Sequence, residues 1–120
     1  MPVLVVDDYK TVARIIHNLL RQVGFTDVDT ACDGGEAIEK MKGRKYGLVI
    51  SDWHMAPLDG LEMVKQAKAN ADLKDTPIIL ISGEASPDRL DQARSAGAAG
   101  YVVKPFDAET LKNRIERALG

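Results

Sequence analysis

Five short runs of aliphatic and β-branched residues recur along this chain, each followed by a longer stretch of helical periodicity, and this alternation restricts the fold more than any other feature. Strands that are apolar throughout need cover on both faces. Crossover helices between successive strands supply that cover, so the pattern predicts an α/β domain with a parallel sheet between helical layers. The first run is Val3 to Val6. Val12, Ile15, Ile16, Leu19, Leu20 and Val23 then recur at helical spacing, and Gly24 is a natural stop. Asp27 to Ala31 alternates polar and apolar residues, as an edge strand does. Asp33 with Glu36 resembles a capping box for a helix carrying Ala37, Ile38 and Met41.

Leu48 to Ile50 is the third run, and Asp59 with Glu62 repeats the capping spacing before a helix through Val64 and Ala67. Pro77 opens the fourth strand, Ile78 to Ile81, where a missing N–H does little harm. Ser86-Pro87 pairs an N-cap with a first-turn proline, and Gly97 closes that helix. Tyr101 to Val103 is the fifth strand. Asp107 then caps a last helix whose Leu111, Ile115 and Leu119 fall four apart. These elements use residues 1–120 as one domain, with no segment left for a linker.

Composition narrows the function. Sixteen basic against eighteen acidic side chains give a formal charge of −2, without the basic excess that nucleic-acid binding leaves. Cys32 is the single cysteine, so no intramolecular disulfide can form, which suits a reducing compartment; it reads as a small buried apolar residue. The sequence carries neither a basic leader nor an apolar span long enough for a membrane, and a cytoplasmic location is expected.

In open parallel sheets, ligands gather at the carboxyl ends of the strands. Here the first strand ends in Asp7 and Asp8, the third in Asp52, the fourth in Ser82 and the fifth in Lys104-Pro105. Taken singly, each is an ordinary cap, turn or solvated residue. Together they bring three carboxylates, a hydroxyl and an ammonium to one rim. Crowded carboxylates repel and rise in pKa unless a cation offsets them, and hard oxygen ligands in this number suit Mg²⁺, or Mn²⁺ in its place. Lys104 and Ser82 add the positive charge and the donor that phosphoryl transfer needs, and a carboxylate can itself be the nucleophile.

The segments VLVVDD, LVISDWHM with LDG, PIILISGE and GYVVKPF resemble the receiver domain of two-component response regulators, including the CheY-like single-domain members. The separations match as well: Asp8 to Asp52 is 44 residues, Asp52 to Ser82 is 30, and Ser82 to Lys104 is 22. The resemblance covers essentially the whole chain and implies a flavodoxin-like doubly wound (βα)5 sheet of order 2-1-3-4-5. It makes Asp52 the acceptor of a phosphoryl group from a sensor histidine kinase or histidine phosphotransfer protein. Asp8 and Asp52 would hold Mg²⁺ directly, Asp7 through water, and His54 through its backbone carbonyl. Lys104 would pair with Asp52 and then with the phosphoryl group, its bond to Pro105 being cis. Ser82 would bond a phosphoryl oxygen and Tyr101 would swing inward, repacking the surface of the fourth helix, fifth strand and fifth helix for a downstream protein.

The resemblance implies a monomeric signalling switch that phosphorylates and dephosphorylates itself, not a turnover enzyme. His54 and Glu84, each two residues past an anchor, stand where side chains can screen the attacking water. Gly83 leaves space beside Ser82, and Trp53 is expected to be partly exposed. Arg14 and His17 on the first helix are candidates for kinase choice. One departure is visible: Met55 is followed by Ala56 and only then by Pro57, where the family has proline directly behind the methionine. Met1, two residues before the first strand, favours a stand-alone protein over a receiver cut from a larger regulator or hybrid kinase. A dehalogenase-like phosphatase would need a second acid at position 54, a nucleotide binder would need a phosphate-cradling loop after the first strand, and a docking-only receiver would lack part of the constellation.

Overall fold

The computed structural model describes residues 1–120. All five apolar runs are strands: β1 (Val3–Val6), β2 (Val28–Ala31), β3 (Leu48–Asp52), β4 (Ile78–Ser82) and β5 (Gly100–Val103). Between and after them lie α1 (Lys10–Gln22), α2 (Gly34–Gly43), α3 (Gly60–Ala69), α4 (Pro87–Ala96) and α5 (Ala108–Leu119). Every strand pair is parallel, in the order β2-β1-β3-β4-β5, so the fold is the flavodoxin-like doubly wound sheet. β1, β3 and β4 are buried at every position, which explains why their sequences are apolar runs and not alternations.

Successive residues of each strand serve opposite cores. Leu4, Val6, Val49, Ile78 and Leu80 pack under α2, α3 and α4. Val3, Val5, Leu48, Ile50, Ile79 and Ile81 pack under α1 and α5. The caps follow the sequence. Asp33, Asp59, Ser86 and Asp107 each accept from the N–H three residues on. The reciprocal arm at Glu36 reaches the Cys32 N–H, one residue before the cap. Gly97 takes the left-handed conformation, φ 100°, that ends α4.

Three burial expectations are corrected. Cys32 is exposed, because it follows the last residue of an edge strand and turns out at the rim. Trp53 is 3 % exposed, because α4 closes over it. Ile15 and Leu119 point to solvent, since the buried stripes run through Ala13, Ile16 and Leu20 on α1 and through Leu111 and Ile115 on α5.

The free flank of β2 is guarded. The Asp27 and Ala31 carbonyls accept from the N–H groups of Val3 and Asp7, so by alternation the Thr30 carbonyl faces outward, and the Lys40 ammonium holds it. Beside it, Arg44 spans Asp27 at 2.6 Å and Asp29 at 2.7 Å, while the Tyr46 hydroxyl donates to Asp29 at 2.7 Å.

Candidate functional site

Register fixes where the rim residues meet. Val6 pairs with Ser51, Asp52 with Ile81 and Ser82 with Val103, so Asp7 and Asp52 emerge level, with Ser82 and then Lys104 just beyond them on the same carboxyl rim. The crevice between β1 and β3 opens where the chain order reverses, the place where such sheets bind ligands. Asp7, Asp8 and Asp52 each turn an oxygen into this crevice, all within 4.8 Å of one another.

The cluster is acidic, enclosed and under-compensated. Asp7 is 2 % exposed and Asp52 is 4 % exposed, whereas Asp8 faces solvent. One Asp7 oxygen accepts from the Tyr9 N–H at 2.9 Å, but its Oδ2 has no partner, and neither has Asp52 Oδ1. Orphaned buried oxygens are costly, and natural folds retain few of them without a purpose. Burial pushes the Asp7 carboxyl above the ordinary carboxylate range; the Tyr9 N–H offsets part of this, and the Asp52 charge adds to the rise. The cation paired with Asp52 is Lys104, whose Nζ lies 3.4 Å from Asp52 Oδ2. Two orphaned hard oxygens and one exposed carboxylate match what a small divalent cation requires.

The opposite wall carries the donor. Ser82 is fully buried, and its Oγ accepts from the Glu84 N–H at 3.2 Å, which leaves the hydroxyl proton free to be given. The Lys104 N–H donates to the Ser82 carbonyl at 2.8 Å, so the ammonium and the hydroxyl hang from one backbone link. Tyr101 is buried, and its hydroxyl donates to the Glu84 carbonyl. Its ring meets Trp53 edge to face, centroids 6.0 Å apart. His54 is exposed on the loop after β3. The Lys104–Pro105 and Ala56–Pro57 peptides are both cis.

Two contributors escaped the sequence reading. Gly60 donates its N–H to the Trp53 carbonyl at 2.9 Å, and a Cβ there would overlap the Asp52 carbonyl oxygen, so only glycine lets α3 start this close to the Asp52 backbone. Its signal was the glycine directly after a helix cap. Arg89 stands on α4, with its guanidinium over the Trp53 ring and its Nε 3.1 Å from Glu84. No local pattern signals it, because the contact exists only once α4 has packed.

Residues 3–116 match the model of the response regulator receiver domain. Over 117 residues the chain is 39% identical to the chemotaxis protein CheY of Pseudomonas aeruginosa, covering 98% of this chain and 94% of that one. The structure of the Vibrio cholerae chemotaxis response regulator CheY4 superposes with a TM-score of 0.90 at 36% identity, covering 98% of both chains. The receiver domain of a sensor histidine kinase from Pseudomonas aeruginosa, solved with a magnesium ion in its active-site cleft, superposes with a TM-score of 0.88 at 25% identity, covering 99% of this chain and 97% of that one.

Proposed function

This chain belongs to the response regulator receiver domain family, whose members are phosphorylation switches of two-component signalling, and from that premise we propose that Asp52 is its phosphoacceptor. The observation that carries the reading is the pair of unpartnered, buried oxygens on Asp7 and Asp52 facing a single lysine. An Asp52 oxygen attacks phosphorus, the P–N bond to a kinase imidazole breaks, and its electron pair returns to that ring nitrogen. Lys104, already 3.4 Å from Asp52, can pass to a phosphoryl oxygen without leaving the site. Ser82 has its proton free to donate.

Asp8, Asp52 and the His54 carbonyl would hold Mg²⁺, with Asp7 acting through water. When bound, the ion offsets the acid cluster and the charge that builds on the transferred group. The likeness to a receiver that holds magnesium in its cleft supports this donor set. His54 and Glu84, both exposed beside the site, set how long the phosphoryl group survives.

The donor is a histidine kinase or phosphotransfer protein that docks over α1, where Arg14 and His17 line a cavity of about 270 Å³ continuous with Asp7. Output runs through Tyr101. A phosphoryl group drawing on Ser82 acts on the Glu84 amide, and the Glu84 carbonyl holds the Tyr101 hydroxyl, so the β4–α4 turn and the face of α4, β5 and α5 respond together. This face would engage the downstream protein. No helix is long and apolar enough to cross a membrane.

The test is Trp53 emission and intact mass during Mg²⁺ addition, followed by a small phosphodonor or beryllofluoride. Wild type should change its emission with either ligand and, with the phosphodonor, gain a base-labile phosphoryl adduct. Asp52→Asn should do neither, and equal responses from the two would refute the acceptor assignment.

A further inference from the structure

Glu84 is tied at three points. Its N–H donates to Ser82 Oγ at 3.2 Å, its carbonyl accepts from the Tyr101 hydroxyl, and its carboxylate accepts from Arg89 Nε at 3.1 Å. The first two ties use backbone atoms and are open to any residue at this position. The third needs an acid at position 84 and a guanidinium at position 89.

The second anchor of Arg89 is the neighbour of the acceptor. Its guanidinium carbon lies 4.7 Å from the centroid of the Trp53 ring, and Trp53 directly follows Asp52. A guanidinium suits this double task because it stacks on an aromatic face while its edge donates to a carboxylate. The side chains are 24% and 55% exposed, so the ion pair itself adds little to folding. What it does fix is the direction of the Glu84 carboxylate.

That direction matters because of the charge already present. Asp7, Asp8 and Asp52 face Lys104 alone, and Glu84 stands two residues beyond Ser82 on the same rim. A loose fourth carboxylate would stand against an incoming phosphoryl dianion. We propose that Arg89 is a positioning residue that holds the Glu84 carboxylate over Trp53, off the path by which anionic phosphodonors approach Asp52. This inference rests on Asp52 being the phosphoacceptor.

A double-mutant cycle on the full chain tests it. The initial rate of phosphorylation by acetyl phosphate in saturating Mg²⁺ is followed by intact mass, since Arg89 variants alter Trp53 emission directly. Arg89→Ala should lower the second-order rate constant about threefold at low salt, and the loss should shrink as salt screens the freed carboxylate. In a Glu84→Gln background the same substitution should change nothing. Arg89→Lys should recover part of the rate. Arg89→Gln replaces Arg89→Ala if circular dichroism shows the alanine variant misfolded. An equal loss in both backgrounds, or a loss indifferent to salt, would overturn the inference while leaving a normal Asp52 adduct in wild type. An adduct that persists in Asp52→Asn would overturn the acceptor reading and this inference with it.

Discussion

Two groups of aspartates in this domain meet opposite fates. At the β2 flank, Asp27 and Asp29 share the fork of Arg44, and Asp29 also accepts from Tyr46. The Tyr46 hydroxyl, then Arg44, hold the Asp29 carboxyl below its ordinary range, and burial together with Asp29 pushes the Tyr46 phenol up to about 12. At the rim, Asp7 and Asp52 are more deeply buried yet keep unpartnered oxygens, and the Asp7 carboxyl is raised. Residue type is the same; satisfaction is not. The closed group has spent its capacity on the fold, whereas the open one keeps capacity for a cation and a transferred anion.

The largest expected effect is on chemistry. Asp52→Asn should abolish phosphoryl uptake, read as a missing adduct by intact mass, whereas Asp29→Asn should leave the adduct rate within about twofold of wild type. Uptake that also collapsed in Asp29→Asn would break the contrast.

Next comes stability without metal. Asp7→Asn removes a buried charge that the Tyr9 N–H and Lys104 offset only in part, so in EDTA it should raise the thermal midpoint by about 4 °C, equivalent to about 1 kcal/mol. Added Mg²⁺ should stabilise wild type and do so far less in Asp7→Asn, with affinity lower by about tenfold. Tyr46→Phe removes a satisfied bond from the closed group. Its midpoint should fall, by less than the rise in Asp7→Asn, because the Asp29 carboxylate is partly solvated.

The smallest effect is the sharpest in sign. Asp29 has a folded pKa below its ordinary 3.8, so its contribution is complete above 3.8 and fades as pH falls through the lower folded value. Asp7 has a folded pKa above 3.8, so the fold is relatively favoured below 3.8 and loses that advantage as pH rises through the raised value. In EDTA the loss from Tyr46→Phe should grow with pH only up to 3.8 and then stay level, whereas the gain from Asp7→Asn should grow as pH rises above 3.8. Urea midpoints would show whether they do.

Sequence alone revealed the sheet and the rim for one physical reason: both depend on backbone alternation and register. Five apolar runs must be covered on two faces, and parallel strands present their carboxyl ends to one rim, which gathers Asp7, Asp52, Ser82 and Lys104 there. Burial of single residues follows a different rule. Cys32 was misread because a small thiol is usually buried, yet here it follows the terminal residue of an edge strand. Trp53 was misread because what covers it, Arg89 and Tyr101, arrives from elements more than thirty residues away. Gly60 was visible as part of a cap, but its crowding against the Asp52 carbonyl needs coordinates.

The guarding of β2 by Lys40 and Arg44 makes the sheet lopsided. Lysine, paired charges and the occupied Thr30 carbonyl discourage a foreign chain from zipping onto that margin. The β5 margin carries no such guard, so any recruit that extends this sheet would approach beside Tyr101.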